Sequence, residues 1–250
     1  MHGCKTLSAV SRIHCFAFRH WLIAAVLSLP ISSFAAELGG SLGISSAYVR
    51  RGVSLSDRAP SLQGDVHGYT LSGWFGGLSA ASVKLDSPKP MTAEISAYGG
   101  YTRSLATDWQ LQLEATHYDY PGSALRHYYV YDELVSRLTF RDRLGLIVAA
   151  SPDTSIYSDR GNSNGRPAFA YELDGSLPLP YSFSADGGIG YRDLHRLVGV
   201  GYVYWNAGVA WDLGRASLGL NYIGTNATAK SLFGDAEARN RWVVALTGHF

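Results

Sequence analysis

The chain ends Arg241-Trp242-Val243-Val244-Ala245-Leu246-Thr247-Gly248-His249-Phe250. Successive side chains on a strand point to opposite sides. Trp242, Val244, Leu246, Gly248 and Phe250 therefore share one face. Arg241, Ala245, Thr247 and His249 share the other, with Val243 its one large apolar member. In water, an unpaired terminal strand with a bulky apolar end invites aggregation. In a membrane barrel the same strand closes the sheet and turns its apolar face to lipid. Soluble sandwiches contain alternating decamers too, so the rest of the chain has to decide.

The other end of the chain is not part of the expected fold. Lys5, Arg12 and Arg19 precede an apolar run from Trp21 to Leu29, followed by Ser33-Phe34-Ala35-Ala36. A basic segment, a short apolar run and an A-x-A-like site predict a secretory signal peptide over 1–35, cleaved after Ala35, with Ala36 the alternative. The run is too short to span a bilayer. Its removal takes three of the 21 basic residues and none of the 20 acidic ones, leaving 18 against 20 and a mature charge of −2. Such a charge argues against a nucleic-acid binder. Cys4 and Cys15 leave as well, so the mature chain has no disulfide, no thiolate nucleophile and no cysteine metal site.

Residues 36–250 read as a single domain. No segment of it approaches 18 consecutive apolar residues, which excludes a membrane-spanning helix. A spanning chain without such helices must be a closed barrel, because only that satisfies the backbone in hydrocarbon. Alternation and turn residues predict about twelve strands: 38–49, 61–71, 74–85, 93–103, 109–119, 127–139, 143–151, 167–177, 181–191, 199–211, 216–225 and the closing decamer. Strand 109–119 is the clearest, with Trp109, Leu111, Leu113 and Ala115 opposing Gln110, Gln112, Glu114 and Thr116. Connections alternate between tight turns and longer loops, the longest being 152–166. Outer-membrane barrels show that asymmetry, and an even strand count puts both termini on the periplasmic side.

Aromatic residues fall mostly at strand ends. Tyr48, Tyr118, Tyr120, Tyr128, Tyr129, Phe169, Tyr171, Tyr191, Tyr202, Tyr204, Tyr222 and Trp242 lie toward the long loops. Tyr69, Trp74, Phe75, Tyr101, Trp109, Phe140, Tyr181, Phe183, Trp211 and Phe250 lie toward the short turns. Two such belts flanking an aliphatic band suit the two membrane interfaces. A soluble sandwich would instead hold its aromatics in strand middles. The expectation is a transmembrane antiparallel β-barrel in the outer membrane of a Gram-negative bacterium, with membrane lipids around it.

The stretch from Tyr48-Val49-Arg50-Arg51-Gly52-Val53-Ser54-Leu55-Ser56-Asp57 to Pro60-Ser61-Leu62-Gln63-Gly64 resembles the signature of the TorF-type porin family, a group of conserved hypothetical bacterial outer-membrane barrels. Further matches are Ser72-Gly73-Trp74-Phe75-Gly76-Gly77, Glu94-Ile95 to Gly99-Gly100-Tyr101, Tyr118-Asp119-Tyr120-Pro121-Gly122 and Leu177-Pro178-Leu179-Pro180-Tyr181. Where that family carries a motif with Asn, this chain has Ala80-Ala81-Ser82-Val83. The resemblance covers the whole mature chain. It implies a barrel of this size and a channel role, with no named solute. The final strand ending in Phe250 also resembles the C-terminal signal by which the barrel-assembly machinery recognises its clients.

Strand parity assigns the inner wall. The polar faces hold Gln110, Gln112, Glu114 and Thr116, then Glu133 and Arg137, Glu172 and Asp174, Asp186 and Asn221, with Glu94 and Asp65. Arg51 shares parity with Ser45 and Val49, which places it inside if Tyr48 faces lipid. A charge facing lipid at mid-bilayer costs about 2–4 kcal/mol for Arg or Lys, so these residues face inward. About twelve strands tilted near ~40° at about 4.8 Å spacing give a backbone diameter of roughly 24 Å. Side chains leave a bore on the order of 10–14 Å before any loop folds in. The pore-lining candidates are Arg51, Glu94, Glu114, Glu133, Arg137, Glu172, Asp174 and Asp186. Arg51 and Arg137 would oppose the glutamates across a waist that favours small polar or zwitterionic solutes. The competing reading pairs the same residues into a structural plug with no through-pore.

Other classes fit less well. An outer-membrane lipid hydrolase would use Ser and His on the outer wall, and none of His67, His117, His127, His195 or His249 sits in a His-x-Ser arrangement. His117 and Asp119 share a face, which suits a polar interface pair. Residues 159–165 lack the spacing and the downstream Glu of a calcium loop. No glycine-rich stretch leads into a helix to hold phosphate, so no cofactor and no metal is expected. Loops of about seven to fifteen residues are modest for a surface adhesin or receptor.

Overall fold

A computed structural model describes residues 36–85, 92–123, 126–156 and 163–250. The segment read as a signal peptide, 1–35, lies outside them. The strands in chain order are β1 (Ala36–Ser45), the short β2 (Val49–Arg50) and β3 (Val53–Ser54), β4 (Ser61–Thr70), β5 (Trp74–Val83), β6 (Thr92–Ala106), β7 (Trp109–Asp119), β8 (Tyr131–Phe140), β9 (Leu144–Ile156), β10 (Ser163–Pro178), β11 (Phe183–Leu194), β12 (Val200–Asp212), β13 (Ala216–Thr225) and β14 (Arg241–His249). Among the described residues four short α-helices sit in loops: α1 (Arg126–Tyr129), α2 (His195–Val198), α3 (Ala227–Phe233) and α4 (Asp235–Ala238). All strands except β2 and β3 form one closed antiparallel barrel of twelve, each pairing with its sequence neighbours, and β1 joins β4 on one side and β14 on the other.

The closing strand behaves as its alternation dictates. Trp242, Val244, Leu246 and Phe250 are exposed on the outside, while Val243 is buried inside. Phe250 and Gly40 exchange backbone hydrogen bonds at 2.9 and 3.0 Å, which seals the seam at its lower end. Around the wall, Leu42, Ile44, Leu62, Val66, Leu78, Leu113, Leu134, Leu146, Leu173, Ile189 and Leu220 are exposed as well. An apolar surface this continuous is untenable in water and is what hydrocarbon requires of a barrel. The turns at 71–73, 107–108, 141–143, 179–182 and 213–215 share one end with both described termini, and the longer loops share the other. Arg141 and Asp142 adopt φ of 52° and 55°, the left-handed pair that a two-residue hairpin turn needs.

Aromatic pairs mark the short-turn rim of the outer face. Trp74 opposes Tyr101, Trp109 opposes Phe140 and Phe183 opposes Trp211, directly across strand pairs, with ring centroids 5.0, 4.7 and 5.5 Å apart. Near the long-loop rim Tyr222 opposes Trp242 at 5.1 Å. Not every aromatic belongs to a belt. Tyr118, Tyr120, Tyr202 and Tyr204 are buried inside the barrel near its long-loop end, and Phe75 is buried near the other. Position along the strand placed them at a rim; parity turns them inward.

Most expected boundaries shift by a few residues, and the larger changes fall in three places. The first strand stops at Ser45 instead of running to residue 49, because the chain leaves the wall there. Ser46 still donates its N–H to Val244, and its side-chain hydroxyl then accepts the Val244 N–H at 3.1 Å, ending the ladder. Residues 126–129 form α1 where a strand was expected to begin at 127. Most of the described part of 152–166 is not loop, since β9 extends to Ile156 and β10 starts at Ser163, with register irregularities up to Ala168.

Candidate functional site

Residues 46–60 fold into the barrel. Arg51 and Gly52 make the tip of the β2–β3 hairpin, with φ of 47° and 81°. The base is fixed locally: Leu55 N–H donates to Tyr48 O at 2.8 Å, Tyr48 N–H to Ser56 Oγ at 3.0 Å, and Ser56 Oγ to Ala59 O at 2.8 Å. Lys84 ties it to the rim through its N–H to Leu55 O and its Nζ to Asp57, both 2.8 Å. Val53 packs into a buried cluster with Tyr202, Tyr204, Ala229, Leu232 and Ala238, so helices α3 and α4 cover the hairpin from the loop side.

The tip inserts two guanidinium groups. Arg50 pairs with Glu94 on β6 and donates to the hydroxyls of Tyr120 (2.8 Å), Tyr48 (2.9 Å) and Tyr131 (3.0 Å). Tyr48 and Tyr120 pass the interaction on, donating to Glu94 at 2.9 and 2.7 Å. The guanidinium also lies over the Tyr118 ring, 4.6 Å from its centroid. Arg51 grips Glu133 on β8 with both terminal nitrogens, at 2.8 and 3.0 Å, and reaches Glu172 on β10 through Nε at 3.0 Å. Arg192 on β11 donates to the same Glu133 at 2.6 Å. The Glu133 side chain is 0 % exposed and that of Arg51 4 %. Three arginines, Arg50, Arg51 and Arg192, thus face three glutamates, Glu94, Glu133 and Glu172. Buried charge is sustainable only when paired this completely.

A second tier lies toward the short turns. Glu133 and Arg137 are four residues apart on β8, about 13 Å along the strand. Arg137 pairs with Asp174 at 2.6 Å, across Gly145 of β9, where a side chain would collide with both. Glu114 accepts from Gln112 Nε2 at 3.0 Å, Asp186 from Ser184 Oγ at 3.0 Å, and Asp65 from Tyr98 OH at 2.7 Å. His67 also hydrogen-bonds Asp65. These groups are only part-buried, so this tier is wetter than the upper one.

The expected waist is therefore two layers. The structure brings Arg51, Glu133 and Glu172 together, with Glu94 beside them on Arg50. It holds Arg137 and Asp174 as a separate pair, and leaves Glu114 and Asp186 on other parts of the lower wall. Arg51 reaches the lumen from the inserted hairpin and not from a barrel strand, which corrects the parity argument that placed it inside. Arg50, which that argument left unassigned, is buried inside too. Arg192, Tyr120 and Tyr131 also join the layer. One signal for this was present: two adjacent arginines on a spanning strand would put one of them in lipid, so Arg50-Arg51-Gly52 has to be a turn. On the outer wall, His117 bonds Asp132 instead of the expected neighbour Asp119, which pairs with Arg126.

The pattern of matches to known proteins agrees with the architecture. Residues 31–250 match the model of a family described as bacterial proteins of unknown function, Gcw_chp. Among curated proteins none matches the chain by sequence. Of solved structures, the NanC porin superposes with a TM-score of 0.54 at 7 % identity, over 84 % of this chain and 98 % of that one. The KdgM porin does so with 0.50 at 7 %, over 86 % and 99 %. At that identity the likeness is one of fold: the chain has the twelve-stranded barrel architecture of outer-membrane porins.

Proposed function

We propose that this chain, which belongs to the bacterial Gcw_chp family of unknown function, is an outer-membrane channel through which small polar solutes or ions diffuse passively. The observation that carries the reading is the contrast between walls. The outer wall is apolar and ringed by aromatics; the inner wall holds charges of both signs, including Arg51, Glu94, Glu114, Glu133, Arg137, Glu172, Asp174 and Asp186. A lumen lined this way and narrowed by one inserted loop selects by size and charge. The resemblance of residues 48–64 to the TorF-type porins supports the same role and falls on the inserted hairpin. In this reading 1–35 is a cleaved signal peptide, both mature termini face the periplasm, and the strand ending in Phe250 engages the assembly machinery.

One observation favours a closed-lumen barrel instead: the paired Arg51 and Glu133 side chains are buried from solvent in the middle of the lumen. Planar-bilayer recording of the purified mature protein separates the two. The channel reading expects discrete conductance steps; their absence, with the barrel shown folded by its heat-modifiable gel mobility, overturns it.

A further inference from the structure

Charge is not shared evenly between the two tiers. The upper layer balances, with three arginines on three glutamates. Among the described residues the lower-tier wall carries Asp65 on β4, with His67 hydrogen-bonded to it, Glu114 on β7, Asp174 on β10 and Asp186 on β11, against the one arginine Arg137 on β8. Strand registers bring these to similar depth: Gln112 is opposite Arg137, which puts Glu114 one inward position above it, and Asp174 is opposite Gly188, one inward position above Asp186. Tyr98, which bonds Asp65, is opposite Thr116, one inward position above Glu114. Glu37 and Asp212 add carboxylates at the short-turn rim, on the inward parity of β1 and β12. The basic residues at this end, Arg103, Arg141, Arg143 and Arg215, lie on the outward parity of β6 or in turns and do not offset the wall.

A second observation points the same way. Two acceptor oxygens on the inner wall, Asp174 Oδ1 and Asn221 Oδ1, are buried with no donor among the described residues. Asp174 already has the Arg137 guanidinium on its other oxygen, so the two unsatisfied acceptors add negative potential to the wall without demanding an ion of their own. A narrow lumen bounded by low-dielectric walls focuses the field of such an excess and enriches counter-ions.

We propose that the channel prefers cations over anions, and that the preference is set below the inserted hairpin by Asp65, Glu114, Asp174 and Asp186 outweighing Arg137. The inference rests on the channel reading above and names the charge class of what passes. The arginines at the hairpin tip do not reverse it, because their charge is matched within their own layer.

Reversal potentials measured for the mature protein in planar bilayers under a KCl gradient test it. The expected sign is that of K+ moving more readily than Cl−. The double variant Glu114→Gln, Asp186→Asn keeps both side-chain hydrogen-bonding shapes and removes two charges, and should lower the K+ to Cl− permeability ratio by about twofold or more. The single variant Arg137→Gln should raise it. A wild-type ratio of one or below overturns the proposal, as does a ratio that the double variant leaves unchanged. No conductance in a folded barrel removes the channel reading, and this proposal with it. Conductance with the wrong ion preference removes this proposal alone.

Discussion

Arg51 and Glu133 meet as a two-toothed pair, Nη1 to Oε1 and Nη2 to Oε2, between a hairpin that enters at β1 and a wall strand that begins 86 residues after that strand's end. Removing one partner of a buried pair leaves the other charge without compensation, at a cost of about 3–5 kcal/mol. Glu133→Ala takes the carboxylate from Arg192 and leaves Arg51 with Glu172 alone. Its denaturant midpoint should fall accordingly in unfolding of detergent-solubilised barrel, and its single-channel conductance should rise as the hairpin loosens. Unchanged values for both would show that the pair does not hold the hairpin.

Gly52 tests the hairpin without touching charge. Its φ of 81° and the approach of Thr225 Cγ2, with Tyr204 Cβ 2.9 Å from where a side chain would start, exclude a Cβ. A β-branched residue at that backbone conformation adds about 1–3 kcal/mol of strain. Gly52→Val should therefore expel the tip. Limited proteolysis should then cut within 46–60, where the native chain resists.

The Arg50 layer couples residues distant in sequence. A double-mutant cycle on Arg50→Met and Glu94→Gln should give a coupling energy of about 1–3 kcal/mol from unfolding midpoints. Additive effects would mean that the tyrosine hydroxyls, and not the carboxylate, hold the guanidinium.

On the lipid face, Trp109→Ala removes a ring 4.7 Å from Phe140. Beyond the lost area, such a pair contributes about 0.5–1.5 kcal/mol. The variant should unfold at lower urea in phospholipid vesicles, with conductance unaltered.

Deleting Phe250 removes two backbone bonds to Gly40 and the ring that covers it. The fraction of chains reaching the heat-modifiable folded form in cells should drop several-fold. A wild-type folded fraction would show that β14 closes the seam without its last residue.

Much of this architecture is legible in the sequence. Strands β7 and β13 begin and end where alternation and turn residues place them, because lipid on one side and a polar lumen on the other enforce a period of two. The inward positions of Glu94, Glu114, Glu133, Glu172, Asp174 and Asp186 follow from the same constraint. What alternation cannot carry is a loop turning inward. Arg50 finds Glu94 44 residues away and Arg51 finds Glu172 121 residues away, and no local pattern records such partners. Tyr118 and Tyr204 show a related limit, since an aromatic near a strand end suits a membrane interface or a packed lumen equally, and only its parity separates the two.

The inserted hairpin spans the barrel's width. It starts at the seam side, on β1, and is fastened at its tip to β6, β8 and β10, with its flank against β12 and β13. A cylinder of twelve strands held only by its circumferential hydrogen bonds can flatten under lateral pressure from the surrounding bilayer. A cross-strut fixed to several points on the opposite arc resists that ovalisation. The strut thus ties the seam to the far arc near the loop end, where β8 and β10 lie across the barrel from β1.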